Sequence, residues 1–166
     1  MNPYFDEKLI TIISKGCRDY IAENLHVSAE REAYGPSKNE GLCYESCQSI
    51  ESVGEIPSML YFGMDGYTRM KLLPRMAELI EVSNDMKGMV DSILMEYANQ
   101  MGARIVNDLI ESNFEVDIGA PANLNHKLVP IDRKTNRQYI IIFFLRDRRM
   151  HEYLGRIYIV YTIKKF

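Results

Sequence analysis

Apolar positions along the chain repeat with two different periods, and the period separates helices from strands. Between residues 5 and 25, apolar side chains recur every three or four positions, which predicts an amphipathic helix. The same spacing returns over residues 85–114 and predicts the longest helix of the chain. The apolar stripe of this second helix consists of Val90, Leu94, Ala98, Met101, Ile105 and Leu109.

Shorter stretches rich in β-branched, aromatic or alternating apolar residues predict strands. They lie at residues 27–33, 42–53, 56–64, 127–131, 138–146 and 154–163, with 42–53 the least clear and a loop predicted over 34–41. Residues 139–145 are apolar on both faces, so we expect that strand to be central or to lie in an interface. If the strand at 154–163 lies at a sheet edge, it could pair with a second chain.

The segment from 65 to 82 allows two interpretations. A helix over 67–82 fits the pattern if Pro74 kinks it or begins it. Alternatively, Asp65-Gly66 turns a hairpin and only the part after Pro74 is helical.

Together these elements predict an α+β fold. A mostly antiparallel sheet would be flanked by the long helix and two further helices. The 166 residues contain no repeat, low-complexity segment or linker, so we expect a single domain over residues 1–166.

Composition excludes several classes of protein. The chain is 46% hydrophobic and 26% charged, as in an ordinary packed domain, and its net charge of −3 does not fit a nucleic-acid-binding surface. The longest purely apolar run, residues 140–145, is too short to cross a bilayer. The short apolar stretch at 9–13 is flanked by charges, so we expect no signal peptide and a cytoplasmic location.

The cysteines and histidines do not form a recognisable metal motif. Cys17, Cys43 and Cys47 are odd in number, and the last two lack the two-residue spacing of zinc knuckles. The three histidines stand apart in the sequence. We therefore expect reduced thiols and no metal site on this chain.

Four residues of the long helix lie opposite its apolar stripe. At 100° per residue, Ser92, Glu96, Asn99 and Ala103 share a face that is roughly 160° from the stripe. An asparagine inside a helix costs several tenths of a kcal/mol relative to alanine, so stability does not favour Asn99 there. Glu96 and Asn99 either belong simply to a solvated face, or they bind a cation and hold a water molecule.

The surrounding sequence adds to the second interpretation. Ser92-x-x-x-Glu96-x-x-Asn99 is followed 22 residues later by Pro121. This arrangement resembles the signature of the CheC/CheX/FliY family of chemotaxis phosphatases. The likeness is closest to CheX, because the CheC type carries a second Glu-x-x-Asn motif on its first helix. Here Glu7 and Glu23 are not followed by asparagine three positions later.

The resemblance implies a function, a partner and a role for each site residue. The family hydrolyses the aspartyl phosphate of a CheY-type receiver domain in a chemotaxis response regulator. By this likeness Asn99 would hold the attacking water, Glu96 would pair with a receiver lysine, and Ser92 and Ala103 would let the receiver approach. The receiver would bring the magnesium ion, so no cofactor is expected on this chain, and a homodimer formed through the sheet is expected.

Two other hypotheses remain open at this point. One is a non-catalytic module of the same fold that docks on a receiver, a receptor or a flagellar switch component. The other is an unrelated α+β domain with a chance motif.

Overall fold

A computed structural model describes residues 3–80 and 89–165. Within them the predicted α+β fold is confirmed. The helices are α1 (Pro3–Leu25), α2 (Gly66–Leu79) and α3 (Val90–Glu111). The strands are β1 (Val27–Pro36), β2 (Gly41–Leu42), β3 (Ser46–Gly54), β4 (Ser58–Met64), β5 (Val116–Ile118), β6 (Ala122–Asn123), β7 (Val129–Pro130), β8 (Asn136–Asp147) and β9 (Tyr153–Lys164).

The main sheet has seven strands, and every described pairing is antiparallel. Its order is β1-β8-β9-β4-β3-β5, and β6 also pairs with β3. A separate two-stranded ladder joins β2 to β7. The interior position of β8 confirms the central strand predicted at 138–146, whereas β9 lies between β8 and β4. The strand at 154–163 is therefore not at a sheet edge, so the condition for its pairing with a second chain is not met.

The three helices cover one face of the main sheet and enclose the larger core. Leu94, Ala98, Met101, Ile105 and Leu109 of the predicted stripe are buried there, and Val90 packs against them. The opposite face of the sheet carries a smaller cluster around Tyr61 and Val160, which the segments containing β2 and β7 cover. None of the described helices is long and apolar enough to span a membrane.

The periodicity predicts that α3 ends at residue 114, but the helix ends at Glu111. Asn113 adopts a positive φ of 68°, the left-handed conformation that commonly terminates a helix. The amide of Phe114 then donates to the carbonyl of Leu109 at 3.1 Å. The predicted start at residue 85 lies outside the described residues, where the helix begins at Val90.

Helix α2 decides between the two interpretations of the segment after β4. The Asp65 carboxylate accepts a hydrogen bond from the Thr68 amide at 2.8 Å and caps the helix, so the hairpin alternative is wrong. Pro74 lies inside the helix. Residues 81 and 82 of the predicted helix lie outside the described residues.

Candidate functional site

The exposed face of α3 carries the four residues that the sequence singles out. Ser92 and Ala103 are exposed, while Glu96 and Asn99 are partly exposed. Glu96 and Asn99 are three residues apart, which places them about 60° apart around the helix and about 4.5 Å apart along its axis. Both side chains are therefore available to a partner that docks on this face.

Two sets of contacts hold α3 in place below this face. A Cβ atom added to Gly102 would lie 2.7 Å from Cδ1 of Ile50, so the helix backbone approaches β3 closely and needs a residue without a side chain here. On the other flank, Arg104 binds Glu23 of α1 at 2.8 Å. The helix is thus fixed to both the sheet and α1, which makes it a rigid support for Glu96 and Asn99.

Glu96 stands at the end of a chain of hydrogen bonds that begins in α1. The Tyr20 hydroxyl donates to Oε1 of Gln100 at 2.8 Å, and Nε2 of Gln100 donates to Oε1 of Glu96 at 3.2 Å. Tyr20 is 4% exposed, and its ring lies 6.1 Å from that of Tyr97. Burial, together with the charge of Glu96, raises the pKa of the Tyr20 hydroxyl, which therefore stays protonated.

Asn99 lies on the other border of the face, toward the side of α3 where Gly102 meets the sheet. The Asn99 side chain is partly exposed, so a ligand that docks on this face can reach its carboxamide. Strand β5 reaches this side, since Cδ1 of its last residue, Ile118, is 3.6 Å from the Cβ position of Gly102, and the segment after β5 continues from there. Pro121 of the sequence motif belongs to that segment and is partly exposed.

Asn125 connects the start of α3 to the sheet. Its Nδ2 donates to Oδ1 of Asp91 at 3.4 Å, and its Oδ1 accepts from the Cys47 amide at 2.8 Å and from Nε2 of Gln48 at 2.9 Å. Sequence reasoning missed both Asn125 and the Tyr20–Gln100 pair. The Glu96–Gln100 spacing of four residues was a usable signal, because side chains at that spacing meet on a helix.

Within residues 3–80 and 89–165, no group of three or more His, Cys, Asp or Glu side chains could hold a metal ion. Cys43 is exposed, Cys17 and Cys47 are buried, and all three thiols are free. Burial raises the pKa of Cys47 to about 12, so it remains a neutral thiol. His26, His126 and His151 all adopt a positive φ and lie outside the helices and strands.

Comparison with known proteins identifies the class of fold. No family model and no curated protein matches the sequence. Solved structures do match, and they show the fold of the CheC/CheX/FliY chemotaxis proteins.

Three of these structures are informative. The chemotaxis protein CheX from Desulfovibrio desulfuricans is 10% identical, with a TM-score of 0.77 over 94% of this chain and 99% of that chain. A chain of the CheX-CheY-BeF3-Mg complex from Borrelia burgdorferi is 17% identical, with a TM-score of 0.62 over 95% and 97%. A chain of the FliG-FliM complex from H. pylori is 8% identical, with a TM-score of 0.64 over 99% and 96%.

Proposed function

We propose that this protein hydrolyses the aspartyl phosphate of a CheY-type receiver domain in a chemotaxis response regulator. The observation that carries the proposal is the position of Glu96 and Asn99, side by side on the accessible face of a helix that is fixed to the core. The same fold in CheX, and in a CheX that is complexed with CheY, supports a receiver as the partner. A receiver of this type would place the chain in the cytoplasm.

The reaction needs geometry more than acid or base strength. An acyl phosphate is already activated, so water attacks phosphorus, the bond between phosphorus and the aspartyl oxygen breaks, and phosphate leaves. Placing the water in line with that bond is the main task. The Asn99 carboxamide is suited to it, because its oxygen can accept a hydrogen bond from the water and its NH2 group can donate to a phosphoryl oxygen.

Glu96 would help the receiver domain to dock on α3. Its carboxylate would form a charge-assisted hydrogen bond with a receiver lysine and bring Asn99 beside the phosphoryl group. Ser92 and Ala103 are small and exposed, so the partner can approach the helix closely on either side of the pair. The magnesium ion would belong to the receiver, so this chain would need to hold neither a metal nor another cofactor.

Loss of acyl phosphate from a phosphorylated receiver, followed over time, tests the proposal. Asn99→Ala should abolish most of the acceleration while binding survives, because the amide acts mainly in the transition state. Glu96→Ala should weaken binding and rate together. Asn107→Ala is a matched control, since Asn107 is an exposed asparagine two turns further along α3. Wild-type activity in Asn99→Ala would contradict the mechanism.

The second candidate function is a non-catalytic docking module. The likeness to a chain of the FliG-FliM complex favours it, because this fold also occurs in a protein–protein assembly. Binding of a phosphorylated receiver without any acceleration of its dephosphorylation, by an intact wild-type chain, would support this function over the first.

We also propose a homodimer formed through the sheet. The face opposite the helices leaves Ile142, Phe144 and Tyr158 partly exposed. Pairing along edge strand β1 is disfavoured, since that strand carries Glu30-Arg31-Glu32 and a bulge before Ala33. Sedimentation velocity at high micromolar concentration checks this, and a monomer at every concentration would rule the dimer out.

A further inference from the structure

The hydrogen-bond chain from Tyr20 through Gln100 to Glu96 has no part in the chemistry described above, yet it ends on the proposed docking carboxylate. Gln100 uses both ends of its amide: the oxygen accepts from Tyr20 and the NH2 group donates to Glu96. The amide has only one satisfactory orientation. If it were flipped, its oxygen would face a carboxylate oxygen and repel it.

We propose that Gln100 and Tyr20 are positioning residues, which hold the Glu96 carboxylate in the orientation that a receiver lysine meets. The inference rests on the proposed function. Gln100 occupies Oε1 of Glu96, which leaves Oε2 for the partner's ammonium group. A free glutamate side chain samples many rotamers, and fixing it before binding removes an entropic cost that docking would otherwise carry.

Tyr20 is a suitable anchor for this series of hydrogen bonds because its side chain is buried. Its side chain is buried between α1 and α3, and its ring packs against Tyr97 of α3. The ion pair between Arg104 and Glu23 links the same two helices one turn away. The hydroxyl therefore presents its proton to Gln100 from a fixed position.

If Gln100 and Tyr20 had a purely structural role, their replacement would have a different effect. If Gln100 and Tyr20 only join two helices, their removal lowers stability and leaves the affinity for the receiver unchanged. If they position Glu96, their removal weakens docking in the folded protein. It should raise the receiver concentration needed for half-maximal rate and change the maximal rate little, because Asn99 is untouched.

Three variants separate these outcomes. Gln100→Met keeps the length and volume of the side chain but removes both hydrogen bonds, and Tyr20→Phe removes only the hydroxyl. We expect receiver affinity to fall about 3- to 10-fold in Gln100→Met and about 2- to 3-fold in Tyr20→Phe, the range that corresponds to one net hydrogen bond. Asn107→Met, on the same side of α3, is the control and should bind as the wild type does.

Double-mutant cycles then show whether the residues act through one another. The effect of Tyr20→Phe should disappear when it is combined with Gln100→Met. The effect of Gln100→Met should disappear in the Glu96→Ala background. Full additivity in either cycle, or unchanged affinity in Gln100→Met, overturns the inference.

A measurement on the isolated protein keeps this inference distinct from the proposed function. Three-bond couplings of the Glu96 methylene protons, measured by NMR, should report one dominant rotamer in the wild type and rotamer averaging in Gln100→Met and Tyr20→Phe. If the wild type does not accelerate the dephosphorylation of any receiver, the proposed function is wrong. The couplings would still show whether Gln100 and Tyr20 hold Glu96 in one orientation. Averaged couplings in the wild type would refute the positioning role itself.

Discussion

Replacement of Asp6 by asparagine probes the main polar contact between α1 and the sheet. The Asp6 side chain is almost completely buried, and both of its oxygens are bound by Arg137 of β8, with Nε at 2.7 Å from Oδ2 and Nη2 at 2.9 Å from Oδ1. The Tyr139 hydroxyl also donates to Oδ2. Asp6→Asn keeps the shape of the side chain, removes its charge and turns one acceptor into a donor that faces the guanidinium group.

The expected loss of stability is large for a single substitution. Breaking a buried ion pair by removing one partner costs about 3–5 kcal/mol, because the remaining charge is left without compensation. The Arg137 side chain is still 14% exposed, so water can reach it, and we expect the lower end, about 3 kcal/mol. For a domain of this size that corresponds to a fall in Tm of roughly 6–12 °C.

Asp19→Asn is the matched control, because Asp19 lies on the same helix. Its partners are Lys15, at 2.6 Å and 60% exposed, and Arg104, at 3.6 Å and 28% exposed, so solvent reaches both pairs. Exposed pairs contribute less than about 1 kcal/mol. Urea unfolding of both variants at pH 7 measures the contrast, and a loss below about 1 kcal/mol in Asp6→Asn would refute the reasoning.

The difference in stability between the wild type and Asp6→Asn should also depend on pH, with a sign that follows from the pKa of Asp6. Burial alone would raise the pKa of Asp6, but the hydrogen bonds from Arg137 and Tyr139 outweigh it and hold the pKa below the ordinary value of 3.8. Asp6 therefore contributes its full stability above about pH 4, and this contribution is lost as the pH falls through the lower folded-state pKa. The stability difference between wild type and Asp6→Asn should shrink as the pH is lowered below 3.8, and a pH-independent difference would contradict this assignment.

Three further substitutions test the packing. In Gly102→Ala, overpacking of about 1–3 kcal/mol against Cδ1 of Ile50, 2.7 Å from the added Cβ, should cancel or exceed the gain of about 1 kcal/mol in helix propensity. A net gain of about 1 kcal/mol in urea unfolding would mean that α3 does not approach β3 this closely. Gly155→Ala should cost more than about 3 kcal/mol, since its φ is +107° and its Cβ would clash with Oγ1 of Thr68. A Tm near that of the wild type would refute this contact. Asn99→Ala should leave stability unchanged or a few tenths of a kcal/mol higher, and a loss above about 1 kcal/mol would show that its amide is structurally engaged.

The helices with a regular apolar period were predictable, and so was the face that they expose. The stripe opposite Glu96 and Asn99 depends only on local spacing, which is why the accessible face of α3 could be read from the sequence. The end of α3 was misplaced by three residues because Phe114 continues the apolar pattern. Its side chain packs instead against Phe5, with ring centroids 5.8 Å apart.

Features set by distant partners were not predictable. Strands β5 and β6 are three and two residues long, too short for a periodic pattern to identify them, and both form by pairing with β3. Asp65-Gly66 has the composition of a hairpin turn, but burial of Leu72 and Met76 favours a helix that Asp65 caps. The anchoring of Glu96 escaped prediction for the same reason, since Tyr20 is 80 residues away from Gln100.

The place of β9 in the middle of the sheet also constrains when the protein can fold. Its neighbours β8 and β4 bind it on both sides, yet it is the last of the described strands to leave the ribosome. At about 5–20 residues per second, roughly 90–100 residues separate the synthesis of β4 from that of its partner, a delay of about 5–20 seconds. Until β9 is made, β4 and β8 each have an unpaired edge.

From this strand order we expect the sheet to form late in synthesis and cooperatively rather than stepwise. The contacts that join the two halves of the sheet are all far apart in sequence, which makes for slow folding. Truncation before residue 153 should leave no half that is stable alone. During synthesis the nascent chain must also keep apolar strands such as β4 from pairing with other molecules.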